Sequence, residues 1–424
     1  MLPADLDGWL AHIERLHPKT IAMGLERVAQ VRDALGITQS CPVIIVGGTN
    51  GKGSTCALLE AILLAAGYRV GTYTSPHLLR YNERVRIDGR DASDAALCEG
   101  FAAVEAARGE VDLTYFEFGT LAAWVTFARA KLDVLVLEIG LGGRLDAVNV
   151  FEPDCSILTS VDMDHMEYLG DTREKIGWEK AHIFRPARPA VCGDPMPPVT
   201  VGEVAAGIGA DLQIVGRDFG YEGDRQQWRY WGRGGTRAGL AYPALRGANQ
   251  LLNAASVITA LDALRERLPV SNQAIRQGFA LVELPGRFQV LAGRPAVILD
   301  VAHNPHAAAV LAENLSNMGF FPTTHAVFAM LRDKDMAGVC RRMTGRADVW
   351  HVAPLGGPRG ASAEDVEHAL RTAEAGGRIV RHESVAAAYA AAREAAEEGD
   401  RIVVFGSFHT VAEVMAARGG GATH

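Results

Sequence analysis

The sequence predicts an α/β protein of two domains, the first holding a mostly parallel sheet and a phosphate-binding loop, the second smaller. Three observations predict it. The chain has 424 residues, more than one core usually organises. Short apolar runs alternate with helical patterns along most of its length, which implies a largely parallel sheet. One stretch joins an apolar strand, Val43 to Val46, to a turn with four glycines around Lys52 and then to an apolar helical run at 56–64. That order aims backbone N–H groups and a helix dipole at a phosphate, and Lys52 adds a point charge. The general phosphate-loop pattern asks for Gly where Val46 stands and for Ser or Thr where Gly53 stands. The bland alternative is a turn that merely reverses the chain.

In chain order, Trp9, Ile13 and Leu16, then Ile21, Leu25, Val28, Val31 and Leu35, recur at helical spacing, for one or two helices in 5–36. Residues 17–24 between them form a loop of the kind that covers a ligand. Residues 69–74 read as a second strand, ending in Ser75, Pro76, His77 and Leu78. A short strand and turn at 82–89 and helices at 94–108 and 117–131 follow. The apolar run 132–138 is a strand ending in Glu138, and 139–146 is too flexible for a helix. Residues 155–161 form another buried strand, ending in Asp162, Met163, Asp164 and His165. From 190 to 245 the pattern weakens, with antiparallel strands at 215–219 and 228–231 expected on the sheet's edge. A helix returns at 249–265. The break at 284–289 places the domains at 1–287 and 296–424. The second unit opens with the strand before Asp300 and continues through strands near 325–330, 347–352, 378–381 and 401–405. It has no glycine-rich phosphate loop, and the tail from Gly419 is expected to be loose.

Composition bounds the function. With 22% charged and 48% hydrophobic residues the chain is ordinary for a soluble protein, and the net charge of −8 argues against a nucleic-acid partner. A local basic pocket can still serve an anionic small substrate. The N-terminus lacks a basic, apolar signal pattern, and no apolar run approaches the ~20 residues of a membrane span. Six scattered cysteines without a CxxC pair read as reduced thiols of a cytosolic protein.

Ser75, Glu138 and His165 lie at three strand ends near the glycine-rich loop. A hydroxyl, a carboxylate and an imidazole can hold a divalent ion that bridges phosphates. Taken singly, Glu138 could cap a helix and His165 could be a satisfied core histidine. Lys180 sits in the helical run 174–184, where Ala181, Ile183 and Phe184 imply partial burial. A buried lysine calls for a ligand or a modification; otherwise it is a solvated charge. Asp300 and His303 follow a buried strand, where open α/β sheets bind ligands, or they mark a simple turn. Arg287 in its Pro-Gly-Arg turn reaches a nucleotide or makes an interdomain salt bridge.

With these residues in hand, the chain closely resembles the folylpolyglutamate synthase / dihydrofolate synthase family of ATP-dependent Mur-type amide ligases. The resemblance runs nearly end to end. It is carried by residues 48–54, 74–78, 138–146, Asp164-His165, Glu179-Lys180-Ala181, Pro285-Gly286-Arg287-Phe288 and 300–305. It implies a P-loop ATPase-type N-terminal domain of the Mur central type and a Rossmann-like C-terminal glutamate-ligase domain. Thr49, Asn50, Gly51, Lys52, Gly53 and Ser54 would cradle ATP, with Asn253, Arg287 and Asp300 as further nucleotide contacts. Ser75, Glu138 and His165 would bind Mg²⁺, and Lys180 matches a lysine carried as a carbamate. The resemblance leaves room for a second Mg²⁺ and a monovalent cation. Ile21, Ala22, Met23 and Gly24, Thr114, Tyr115, Phe116 and Glu117, and Leu145, Asp146 and Ala147 match pterin-binding positions of the bacterial bifunctional branch. Gly406, Ser407, Phe408 and His409 resemble a C-terminal segment of that branch and receive no role.

The implied activity is addition of L-glutamate to dihydropteroate and to reduced folates through an acyl phosphate. Lys52, Lys180 and His303 are the expected catalytic groups, with glutamate near His303. The protein is expected to be a cytoplasmic monomer whose partners are small molecules, with no nucleic acid and no membrane. The alternatives are a monofunctional folylpolyglutamate synthase, a cell-wall Mur-type ligase, and a regulatory nucleotide-binding module without catalysis.

Overall fold

A computed structural model describes residues 2–19, 21–223, 227–247 and 249–419; the tail expected to be loose lies, beyond Gly419, outside the described residues. The chain divides into two compact units, Met1–Ala244 with Leu251–Val282, and Leu245–Gln250 with Glu283–His424.

The first unit is built on an eight-stranded sheet. Its strands are β1 (Val43–Gly47), β2 (Val70–Tyr73), β3 (Val85–Ile87), β4 (Arg90–Asp91), β5 (Val134–Glu138), β6 (Cys155–Leu158), β7 (Pro189–Cys192) and β8 (Asp211–Ile214), in the spatial order β4-β3-β2-β5-β1-β6-β7-β8. From β2 to β8 the neighbours pair in parallel; β3 and β4 add antiparallel pairings at one edge. β1, β5 and β6 are buried along their whole length, as continuous apolar runs in a sheet covered on both faces should be. The register sets Glu138 beside Val46 and Leu158 beside Gly47. The carboxyl ends of β5 and β6 therefore flank the turn that leaves β1.

Helices α1 (Leu6–Leu16), α2 (Glu26–Leu35), α3 (Lys52–Ala65), α4 (Asp94–Arg108), α5 (Tyr115–Arg129), α6 (Met166–Leu169), α7 (Arg173–Ala181), α8 (Val199–Ile208), α9 (Gln250–Ala263) and α10 (Asn272–Leu281) complete this unit. Residues 5–36 form two helices. The weakly patterned region extends the parallel sheet through β7 and β8, with α8 between them. The strands expected on the sheet's edge form instead a separate antiparallel sheet, β9 (Gly220–Gly223), β10 (Trp228–Gly232) and β11 (Gly235–Leu240). Residues 215–219 make a turn closed by a single bridge between Val215 and Phe219. The reason lies in alternation: Trp228 and Tyr230 point inward together, Trp228 against Phe279 of α10 and the Tyr230 hydroxyl 3.0 Å from Thr259 of α9. That face packs on α9 and α10.

The second unit has a six-stranded sheet of β12 (Gln289–Leu291), β13 (Ala296–Leu299), β14 (Thr324–Phe328), β15 (Val349–Val352), β16 (Arg378–Arg381) and β17 (Arg401–Phe405), in the order β12-β13-β17-β14-β15-β16. Only the β12–β13 pairing is antiparallel. Helices α11 (Pro305–Asn317), α12 (Met336–Arg342), α13 (Ala363–Thr372), α14 (Val385–Ala395) and α15 (Phe408–Gly419) alternate with the strands. Among the described residues no helix is long and apolar enough to cross a membrane.

Three histidines cross this sheet in file. Nδ1 of His325 lies 3.2 Å from Nε2 of His351, whose Nδ1 lies 3.1 Å from Nε2 of His382. Burial, then His382 and His325, push His351 down to about 4. An unfolded histidine titrates near ~6.5, so between that pH and about 4 the unfolded chain binds more protons. Stability is thus fully present above the unfolded value and falls as the pH falls through this window. The melting temperature should drop between pH 7.5 and pH 5, and His351→Gln should flatten that drop. An unchanged pH slope in the variant would contradict the assignment.

Candidate active site

The turn after β1 is shaped by two glycines. Gly48 has φ +142°, and a Cβ there would stand 2.0 Å from Thr159 Oγ1. Gly51 has φ +89° as the N-cap of α3, and a Cβ there would stand 2.9 Å from Asn253 Oδ1. Both positions demand glycine, and the second brings Asn253 against the loop. The loop is fastened to the segment after β6. Thr49 N donates to Ser160 O at 2.8 Å, Asn50 N to Ser160 Oγ at 3.1 Å, and Thr159 Oγ1 to Asn50 O at 2.7 Å. The Thr49 hydroxyl accepts from Asp162 N at 3.0 Å. Gly51 has no side chain with which to cap α3, so the helix start presents its first N–H groups toward the loop.

Two lysines meet here. Lys52 Nζ donates to Gly48 O at 3.1 Å and to Thr49 O at 3.2 Å, and Lys180 Nζ donates to the same Gly48 O at 3.1 Å. Lys180 is 4% exposed, buried far more completely than its neighbours in sequence suggested. Burial, and next the Lys52 charge, push its amine down to about 7. Gly143 packs so closely that a Cβ there would stand 2.7 Å from Glu179 O, and Arg144 pairs with Glu179 at 2.9 Å, tying 139–146 to α7.

Glu138 is 3% exposed, and its Oε2 accepts from Ser75 N at 3.0 Å, which joins two of the expected ligands directly. His165 takes a left-handed backbone, φ +49°, at the start of α6, and its N donates to Asp164 Oδ1 at 3.0 Å. A non-glycine residue in that region is uncommon and concentrates at functional sites. Among the described residues no three His, Cys, Asp or Glu side chains gather around one point; the expected set holds only two of those types, with a serine. A carboxylate, a hydroxyl and an imidazole make a donor set suited to a divalent ion.

Three of the pterin candidates, Met23, Phe116 and Asp146, lie against 140–142. The Phe116 ring lies over Gly140, where a Cβ would stand 2.6 Å from its Cζ. Leu169 and Met23 lie over Gly142, at 2.8 and 3.8 Å from the same construction. Asp146 accepts from Leu141 N at 2.8 Å and Val148 N at 3.0 Å; burial pushes its carboxyl up to about 7, against the pull of those N–H groups and Lys52. Thr114 and Glu117 cap α5 reciprocally, and Glu117 also pairs with Arg27 at 2.8 Å. Arg27 donates to Ala22 O at 2.9 Å, so it braces the 21–24 loop. Sequence reasoning missed Arg27, whose partner lies 90 positions away. It also missed Thr159 and Ser160, which no local pattern separates from the end of a strand. Tyr115 meets Tyr81 edge to face, with ring centres 6.0 Å apart, and Leu145 is half-buried beside the buried Asp146 and Ala147.

In the second unit, Asp300 accepts from Phe288 N at 2.9 Å and Ala302 N at 2.8 Å. Burial pushes its carboxyl up to about 6, and the Arg287 charge opposes this. His303 Nδ1 donates to Val301 O at 2.9 Å, which leaves the neutral ring's lone pair on Nε2. Arg287 lies over the Phe408 ring, 5.1 Å from its centre.

A nucleotide-binding loop on a parallel sheet, followed by a smaller α/β unit, defines a Mur-type ligase. The Mur ligase middle domain matches residues 46–192, and the Mur ligase glutamate ligase domain matches 286–408. The dihydrofolate synthase/folylpolyglutamate synthase of Escherichia coli strain K12 is 46% identical over 424 residues, covering 99% of this chain and 97% of the relative. A solved structure of E. coli FolC in complex with DHPP and ADP superposes with a TM-score of 0.93 at 45% identity, covering 99% of each chain. Another, of a bifunctional folylpolyglutamate synthase/dihydrofolate synthase with Mn, AMPPNP and L-glutamate bound, gives 0.91 at 45% identity, covering 99% of this chain and 100% of the other. The chain belongs to the dihydrofolate synthase/folylpolyglutamate synthase family.

Proposed function

We propose that this protein is an ATP-dependent ligase that joins L-glutamate to dihydropteroate, making dihydrofolate, and to reduced folates, making folylpolyglutamates. The observation that carries it is the convergence of Lys52 and Lys180 on the Gly48 carbonyl, beside Glu138, in a chain whose relatives were solved with ADP, AMPPNP, Mn, DHPP and L-glutamate.

The chemistry follows from these residues. The substrate carboxylate attacks the γ-phosphorus of ATP and ADP leaves, giving an acyl phosphate. The amino group of glutamate attacks the acyl carbon, phosphate leaves, and an amide forms with loss of a proton. Positioning and charge neutralisation do the work, without a protein nucleophile. Thr49 to Ser54 hold the phosphates, and Lys52 neutralises charge at the outer ones. Asn253, Arg287 and Asp300 contact the nucleotide. Residues 21–24, 114–117 and 145–147 hold the pterin. His303 Nε2 accepts a hydrogen bond from the amino group of glutamate.

Ser75, Glu138 and His165 would hold Mg²⁺, which supplies positive charge that offsets the repulsion between the phosphates and the incoming carboxylate. Lys180 acts as a carbamate. Held down to about 7, the amine is neutral far more often than an ordinary lysine, and the neutral amine adds to CO₂, releasing a proton. The product is an anion near Lys52, attracted by the Lys52 ammonium where a protonated Lys180 would be repelled by it. The protein acts as a cytoplasmic monomer on small molecules; its six free cysteines accord with a reducing compartment. Glutamate-dependent ADP release, assayed separately with dihydropteroate and with tetrahydrofolate, tests this function.

A further inference from the structure

We propose that Phe408 is a positioning residue that holds Arg287 and His303 for work on nucleotide and glutamate. The inference rests on the roles given above to those two residues. The Arg287 guanidinium lies 5.1 Å from the centre of the Phe408 ring, and the His303 ring lies 6.2 Å from it at an angle of 53°. Arg287 leaves the turn before β12, His303 follows β13, and Phe408 opens α15. One aromatic ring thus joins three separate segments of the second unit.

The backbone around Phe408 is built to hold that ring still. Gly406 has φ +114°, and a Cβ there would stand 2.3 Å from Ala329 O. Gly406 N donates to Ala302 O at 3.0 Å, which ties the turn to the residue preceding His303. Ser407 Oγ accepts from Thr410 N at 3.0 Å, and Thr410 Oγ1 donates to Ala329 O at 2.8 Å. The bland reading is an ordinary core aromatic. The nearby Phe328 and Phe405 fit that description, being fully buried and stacked on each other at 4.7 Å. Phe408 is only half-buried, and its ring neighbours are a cation and an imidazole. A flat ring keeps the long arginine side chain in one arrangement, which removes the entropy cost of ordering it when nucleotide binds.

The test is steady-state kinetics on the full-length protein. Phe408→Leu should raise the KM for ATP roughly three- to thirty-fold, the span expected for losing one cation–π contact, with a smaller change in kcat. Phe408→Tyr, which keeps the aromatic face, should stay within about two-fold of the parent. Arg287→Ala should raise the same KM, and adding Phe408→Leu to it should change little more, since the two act as one. Melting temperatures of all variants serve as the fold control. An unchanged KM in Phe408→Leu, an equal loss in Phe408→Tyr, or full additivity with Arg287→Ala overturns the proposal while leaving the role of Arg287 standing. An unchanged KM in Arg287→Ala overturns that role and the proposal with it.

Discussion

Lys180→Ala lowers turnover by at least about 100-fold, with either acceptor, and leaves the fold intact. The loss follows from what the amine becomes. At 4% exposure and about 7, Lys180 is an expensive cation 3.1 Å from a carbonyl that Lys52 also uses. As the proposed carbamate it would supply a negative group facing Lys52 and a bound divalent ion. Stability should change little, because removing a buried amine also removes the cost of burying it, and Lys52 still donates to the Gly48 carbonyl. Lys180→Arg should be as inactive as the alanine variant, since a guanidinium does not add CO₂. Stripping CO₂ from the buffer should lower the activity of the parent enzyme, and bicarbonate should restore it. Near-normal turnover of Lys180→Ala would remove the carbamate from the account.

Gly48→Ala abolishes nucleotide binding and destabilises the first unit by about 2 kcal/mol or more. Two effects act together. The φ of +142° is a region that side chains rarely enter, and the new Cβ would meet Thr159 Oγ1 at 2.0 Å. Thr159 cannot simply withdraw, because its hydroxyl donates to Gly47 O and Asn50 O. Moving it unfastens the loop that Lys52 and Lys180 grip. Gly67→Ala is the control: its φ is +90°, yet nothing lies within 4 Å of a Cβ there. It should cost only the backbone strain, about 1 kcal/mol, with nucleotide affinity unchanged. Titration calorimetry with ADP and thermal melts read both effects, and wild-type ADP affinity in Gly48→Ala would contradict the loop geometry.

What could be read from the sequence was local. The strands at 43–46, 132–138 and 155–161 announce themselves as apolar runs ended by glycine or polar residues, and the glycine-rich turn with Lys52 carries its own physical reason. Their spatial order does not follow from such signals. The adjacency of Glu138 to Val46 depends on β5 inserting between β1 and β2. β7 and β8 lie where the apolar pattern is weak, and only the fold shows them extending the parallel sheet. A single alternating strand such as 228–231 does not say what its buried face meets, so the sequence does not separate a strand on the main sheet's edge from one in a separate sheet. Electrostatics were the least legible. Lys180, Asp146 and Asp300 owe their shifts first to burial, and burial is set by segments far away in the chain. Arg27 on Glu117 and Phe408 under Arg287 are partners that only the fold introduces.

The most direct measurement of the central claim, that one ligase serves two acceptors, is ADP release from purified protein with ATP and Mg²⁺. Dihydropteroate and tetrahydrofolate are supplied one at a time, with L-glutamate present and then omitted. The account predicts glutamate-dependent turnover with both, yielding dihydrofolate and tetrahydrofolyl diglutamate respectively. Turnover with only one acceptor contradicts the two-acceptor claim and leaves a monofunctional ligase; turnover with neither contradicts the assignment to folate ligation.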